Sequence, residues 1–110
     1  MNLNRLIARV ATRLLSDSRD QFVAFADGVA RKYGLTRKST YYPKEYEARA
    51  EPAVGDKVRK AFEALGMKFH KFAASSPNAH AVRAEGNHDG VEYLVDIVQH
   101  GPYLTLDVYF

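Results

Sequence analysis

Cationic and aromatic side chains alternate in one stretch of the chain, residues 31–49. Cations neutralise phosphate groups and planar rings stack on bases, so this stretch could bind single-stranded nucleic acid or another polyanion. It also suits a protein-binding surface, or a loop whose tyrosine rings hold it on the domain while its cations face solvent. Glu45, Glu47 and Glu51 dilute its charge. The candidate polyanion- or partner-binding residues are Arg31, Lys32, Arg37, Lys38, Tyr41, Tyr42 and Lys44.

A second candidate surface is the outward face of a sheet predicted near the end of the chain. Residues 80–110 alternate between apolar and polar side chains, and successive side chains of a strand point to opposite faces. Asp96 and Asp107 fall on the outward face as diagonal neighbours, about 7–8 Å apart. Paired carboxylates can act in acid/base catalysis, but a flat solvated face offers them no cleft, so an enzyme is the least favoured alternative. The candidate protein-interface residues are Leu94, Val98, Tyr103 and Tyr109.

Metal and cofactor signatures are not found in the sequence. The histidines follow no metal-binding spacing, and the lack of cysteine excludes a disulfide framework and a thiolate zinc site. The glycines form neither a dinucleotide-binding nor a P-loop motif. We therefore predict no metal and no cofactor. The four histidines are His70, His80, His88 and His100.

Helical spacing of apolar residues dominates residues 1–66. A stripe of apolar side chains at helical spacing predicts a helix over 3–15. Ser18 and Gln21 then read as a capping box, which predicts that a second helix begins at Arg19 and ends before Gly34. Pro52 opens a third predicted helix over about 53–65. The apolar stripe of the first helix consists of Leu3, Leu6, Ile7, Val10 and Leu14.

Two further features of this half bear on function. Arg5, Arg9 and Arg13 form a cationic stripe that suits solvent, an anionic membrane surface, a phosphate backbone or a targeting segment. Residues 35–51 lack a clear period, which predicts a long surface loop, with a helical turn at 44–50 as an option. Gly28, inside the second predicted helix, indicates a close helix contact.

The alternating half predicts three strands, 80–86, 91–98 and 103–110, with a short edge strand as an option within 67–74. Burying one apolar face leads to four-residue loops at 87–90 and 99–102, with Ile97 opposite Leu104. The predicted fold is α+β in a single domain, residues 1–110. Two or three N-terminal helices pack on one face of a C-terminal antiparallel β-meander of three strands, or four with the edge strand.

The charge of the chain changes near residue 66, where the spacing of its apolar residues also changes from helical to alternating. Residues 1–66 carry 13 Lys and Arg against 8 Asp and Glu, whereas residues 67–110 carry 3 against 5. No apolar run approaches the length of a membrane span, and the lack of cysteine suits a reducing compartment. We therefore expect a small, non-enzymatic cytoplasmic protein that binds a macromolecular partner, with nucleic-acid binding by the basic half as the alternative.

Overall fold

The computed structural model describes the backbone of residues 3–38, 44–73, 79–88 and 90–110, and the side chains of residues 18–38, 44–73, 79–87 and 90–110. Within these ranges the chain forms two helices and six strands. In chain order they are α1 (Leu3–Lys32), β1 (Thr36–Arg37), β2 (Lys44–Arg49), α2 (Pro52–Glu63), β3 (His70–Lys71), β4 (Ala79–His88), β5 (Val91–His100) and β6 (Tyr103–Tyr109).

The six strands form one antiparallel sheet in the order β1-β2-β6-β5-β4-β3. Two-residue loops, 89–90 and 101–102, join β4 to β5 and β5 to β6. Gly90 and Gly101 have φ of 82° and 54°, the left-handed values that tight hairpin turns require and glycine adopts without strain. The predicted three-stranded meander is therefore wrong, because β1 and β2 extend the sheet beyond β6.

The predicted registers of β4 with β5 and of β5 with β6 are also wrong, because the loops that join these strands are shorter than predicted. Ile97 lies opposite Leu106 rather than Leu104. Val82 lies opposite Ile97 rather than Val95, the partner that a loop at 87–90 predicts. Each pairing differs from the prediction by two residues, and a shift of two leaves every side chain on its predicted face. Val95, Ile97 and Leu106 accordingly lie in the core.

Residues 35–51 are not a long loop, since β1 and β2 lie within them. Tyr46 of β2 is 2 % exposed, and its hydroxyl donates a hydrogen bond to the Asp27 carboxylate of α1. Burial, together with this bond, raises the pKa of Tyr46. The contact holds β2 against the helix layer, while pairing with β6 satisfies its backbone.

The first two predicted helices are one continuous helix, α1, so the capping box at Ser18 is wrong. Serine and aspartate lower helix propensity by only a few tenths of a kcal/mol each, which is too little to interrupt the hydrogen-bond ladder. None of the described helices is long and apolar enough to cross a membrane. α2 lies close to its predicted position, and β3 occupies the predicted edge position.

Both helices pack on the same face of the sheet. Phe62 of α2 is fully buried, with its ring centroid 6.5 Å from that of Phe22 and 5.3 Å from that of Phe25, both on α1. Beneath them lie sheet residues of the predicted apolar face, among them Val95 and Leu106. We call this face the helix side and the opposite one the outer face.

Gly28 does not make the predicted close contact, because a Cβ built there meets no atom within 4 Å. Since alanine is favoured over glycine in helices, Gly28→Ala should raise the free energy of unfolding by about 0.5–1 kcal/mol. Gly34→Ala provides the contrast, because Gly34 has φ +77° and should lose stability. Urea denaturation measures both, and a loss in Gly28→Ala would contradict the open surface.

Candidate functional site: the outer face of the sheet

The outer face is covered by neither described helix. The core cluster formed by α1, α2 and the sheet includes no described residue whose side chain points to the outer face. Yet the middle of this face is not fully solvated, because Ala81, Asp96 and Val98 are only 5–7 % exposed. Tyr103 is 47 % exposed. The outer face therefore combines a dense centre with an accessible aromatic side chain.

Strand pairing brings ionisable residues from five strands, together with Lys38 just after β1, into one line across the outer face. We call this line the charged row. The carboxylates of Glu45, Asp107 and Asp96 stand at adjacent pairing positions on β2, β6 and β5. One cation lies at each end of these three acids. The complete row, from β1 outward, is Lys38, Glu45, Asp107, Asp96, Arg83 and His70.

Asp96 is held by a two-point ion pair. Arg83 donates from Nε to Oδ1 at 2.7 Å and from an Nη to Oδ2 at 3.0 Å. The guanidinium carbon also lies 4.3 Å from the centroid of the Phe72 ring. Such a planar fork fixes a carboxylate well, so Arg83 holds Asp96 in place and balances part of its charge.

Asp107 lies in a different environment. Burial, and then the neighbouring charges of Glu45 and Asp96, raise its pKa from 3.8 to about 6, although Lys38 and His100 act in the opposite direction. The ionised form of Asp107 is thus destabilised first by burial and then by repulsion from the neighbouring carboxylates. A cation placed above the charged row would relieve this repulsion.

An apolar hollow of about 450 Å³ lies beside the charged row, at the next pair of outer-face residues along β5 and β6. Leu94 and Tyr109 face each other across β5 and β6 and line it from the outer face, whereas Tyr93 and Phe110, which also line it, pack against the core on the helix side. Arg83 and Glu92 contribute to its wall. The hollow and the charged row are separated by two residues along each strand, or about 7 Å.

Of the four predicted interface residues, three are accessible on the outer face. Leu94 and Tyr109 line the hollow, and Tyr103 is exposed near the opposite end of β6. Val98 lies on the same face but is 7 % exposed, so it offers little surface. The predicted diagonal arrangement of the aspartates is wrong, because Asp96 and Asp107 are direct partners.

The candidate residues of the basic stretch are divided between the two faces. Arg37 and Lys44 have helix-side registers, whereas Lys38 belongs to the outer face. Arg37 lies 3.9 Å from Asp27, and Lys38 Nζ lies 3.2 Å from Glu47. The pairing of β1 with β2 therefore separates neighbours in sequence.

Arg31 and Lys32 are exposed at the end of α1. Lys32 Nζ lies 5.5 Å from the centroid of the Tyr33 ring. Tyr41 and Tyr42 lie outside the described residues, as does the side chain of His88, and so do the side chains of the Arg5, Arg9 and Arg13 stripe. Over the described part of the chain, no three His, Cys, Asp or Glu side chains cluster in a way that could hold a metal ion.

Two contributors to the site were not selected from the sequence. Glu45 was counted only as an acid that dilutes the basic stretch, and Arg83 was not linked to Asp96. The sequence did contain a signal for Glu45, since charged residues at 45, 47 and 49 alternate with Tyr46 and Ala48. Such alternation is typical of a strand with one solvated face.

These features define an α+β protein with an antiparallel six-stranded sheet, two helices on one face and a charged row beside an apolar hollow on the other. Comparison with protein-family models, with curated protein sequences and with solved structures finds no match.

Proposed function

We propose that the chain is a binding protein whose outer face holds a segment of a partner protein carrying basic and apolar side chains. The observation that carries this proposal is the position of three adjacent carboxylates, Glu45, Asp107 and Asp96, next to an apolar hollow on a face that neither described helix covers.

Charge supports a basic partner. Arg83 already forms an ion pair with Asp96. The pKa of Asp107 is raised by burial and then by the charges of Glu45 and Asp96. A lysine or arginine above Asp107 would be attracted by all three carboxylates. Complementary potentials of this kind accelerate association and select against partners of the wrong sign.

The hollow favours a partner segment that carries a large apolar side chain beside its cation. Interface energy is concentrated in a few large side chains that fill pockets, and the hollow beside Leu94 and Tyr109 could receive one. Its distance of about 7 Å from the charged row equals the spacing of residues i and i+2 on one face of an extended peptide. The best-matched segment is therefore extended, with a cation and a large apolar residue two positions apart.

A nucleic acid is disfavoured on this face, because the carboxylates of the charged row repel phosphate. Arg31 and Lys32, exposed at the end of α1, belong to a separate part of the surface. Polyanion binding by the basic stretch is thus a distinct outcome, which the following experiment also detects.

The test is fluorescence anisotropy with a labelled ten-residue peptide in which Arg and Leu occupy alternate same-face positions and Thr fills the others. It should bind at least about tenfold more tightly than a peptide with Glu in place of Arg, a difference of about 1.4 kcal/mol. Added salt should weaken it, because the attraction is screened. Glu45→Gln and Leu94→Asp should each reduce its affinity several-fold.

Glu51→Gln is the matched control, since the Glu51 side chain is exposed and makes no capping bond to α2. It should bind as the wild type does. Equal affinity of all variants, or equal binding of the Glu peptide, would overturn the proposal. Tight binding of a single-stranded oligonucleotide without peptide binding, or self-association abolished by Leu94→Asp, would instead assign another occupant.

A further inference from the structure

A cavity of about 280 Å³ lies between α2 and the end of the sheet formed by β3, β4 and β5. Val82, Ile97 and Leu104 supply apolar walls from the helix side of the sheet, and Gly55 of α2 closes the opposite wall. It is separate from the hollow beside Leu94. Its volume is close to the lower limit of known ligand pockets.

Gln99 gives this cavity a specific polar group. The residue is 9 % exposed, and its Nε2 donates to the carbonyl oxygens of Ala50 at 2.9 Å and Gly101 at 2.8 Å. These two acceptors fix the orientation of the amide, because the opposite orientation would place three oxygens together. Oε1 must therefore face away from them.

Gln99 Oε1 is buried and has no hydrogen-bond partner among the described residues. A Cβ built on Gly55 would lie 3.9 Å from this oxygen and 3.3 Å from Leu104 Cδ1, so the acceptor lies against α2 at the edge of the cavity that these residues line. Buried acceptors without a donor are unfavourable and rare. A ligand N–H or O–H at this position would complete the hydrogen bonding.

The charges around the cavity favour an anionic group on the same ligand. Lys71 of β3 lines the cavity, and so does the first turn of α2, which begins with Pro52 and has no side-chain cap. Pro52 has no N–H and the Val54 N–H donates to the Glu51 carbonyl oxygen, so the attraction for an anion comes from the positive end of the helix dipole together with Lys71. Asp56, also in the wall, already lies 3.7 Å from Arg59.

We infer that this cavity binds a small flat molecule with an apolar ring system, an N–H donor for Gln99 Oε1 and a carboxylate near Lys71 and the start of α2. An apolar cavity of about 150 Å³ is enough for benzene, so this larger one has room for a fused bicyclic ring. The inference goes beyond the proposed function, because the site is on the helix side and requires no partner protein.

Three probes test the inference by isothermal titration calorimetry on the whole chain. Indole-3-carboxylate has both groups, N-methylindole-3-carboxylate lacks the donor, and indole-3-carboxamide lacks the charge. We expect the first to bind at least about tenfold more tightly than the second, because only the first satisfies the buried acceptor. Lys71→Gln should weaken the carboxylate several-fold and leave the carboxamide unchanged.

A second variant guards against effects on folding. Gly55→Val adds side-chain atoms to the cavity wall, and because its Cβ would lie 3.3 Å from Leu104 Cδ1, the Leu104 side chain has to shift. The melting temperature and helical circular dichroism of the variant report whether it still folds. It should lose binding of all three probes. Equal affinity for the N–H and N-methyl compounds in the wild type, undiminished binding in Gly55→Val, or no binding of indole-3-carboxylate at millimolar concentration would each overturn the inference.

Discussion

Phe62→Ala should lower the free energy of unfolding by about 3–5 kcal/mol, the usual cost of removing a buried phenylalanine ring. Phe62 is fully buried, and its ring lies against Phe22 and Phe25 of α1. The loss removes contacts between α2 and α1 and leaves a cavity that the long helix cannot easily close. Urea denaturation followed by circular dichroism measures the change.

Phe72→Ala is the matched comparison on the outer face. The Phe72 ring is partly exposed and contacts the guanidinium of Arg83, an interaction worth about 0.5–1 kcal/mol at exposed sites. We expect a loss clearly smaller than that of Phe62→Ala. Equal losses would mean that the outer face is as deeply buried as the helix side, and would contradict its role as an open surface.

Asp107→Asn should stabilise the protein at neutral pH. The pKa of Asp107 is 3.8 ordinarily and about 6 in the folded chain. Below the lower value both states are protonated and the group has no effect. As pH rises between the two values, the unfolded chain loses its proton first, so stability falls, and above about pH 6 the full loss remains.

The expected gain for Asp107→Asn is about 1–3 kcal/mol near pH 7.5, since each pKa unit corresponds to about 1.4 kcal/mol and Asp107 keeps some contact with solvent. Near pH 3.5 the variant and the wild type should be equally stable. Asp20→Asn, the same exchange on an exposed part of α1, is the matched control and should change the free energy of unfolding at pH 7.5 by much less. A destabilised Asp107→Asn protein at pH 7.5 would contradict the crowding of carboxylates in the charged row.

The faces of the strands were predictable from the sequence, but their register was not. Alternation assigns Val95, Ile97 and Leu106 to the core because the period of a strand is two. The same period cannot distinguish registers that differ by two residues. Loop geometry decides between them, and the glycines at 90 and 101 permit two-residue turns that the apolar pattern did not require.

β2 was missed because its sequence contains a single large buried side chain. In Lys44–Arg49 only Tyr46 is buried, and its contact with Asp27 joins residues 19 positions apart. Local propensity carries no information about such a contact. The alternation of charges around Tyr46 was the available signal, and it was obscured by interpreting the whole stretch as a basic surface.

Because β2 was not predicted, the candidate site was predicted only in part. Asp96 and Asp107 were recognised as neighbours on the outward face, and Leu94, Tyr103 and Tyr109 as its large side chains. The charged row depends on β2 pairing with β6, which brings Glu45 beside Asp107. Without that pairing the aspartates are an isolated pair on a flat face.

The pKa of Asp107, measured by NMR titration of its ¹³C-labelled carboxyl with and without the Arg and Leu peptide, tests the proposed binding surface most directly. In the free protein it should be about 6. A bound cation should lower it by at least about half a unit, whereas a peptide that only buried the carboxylate would raise it further. A pKa near 3.8 in the free protein, or one that does not fall when the peptide binds, would contradict the account.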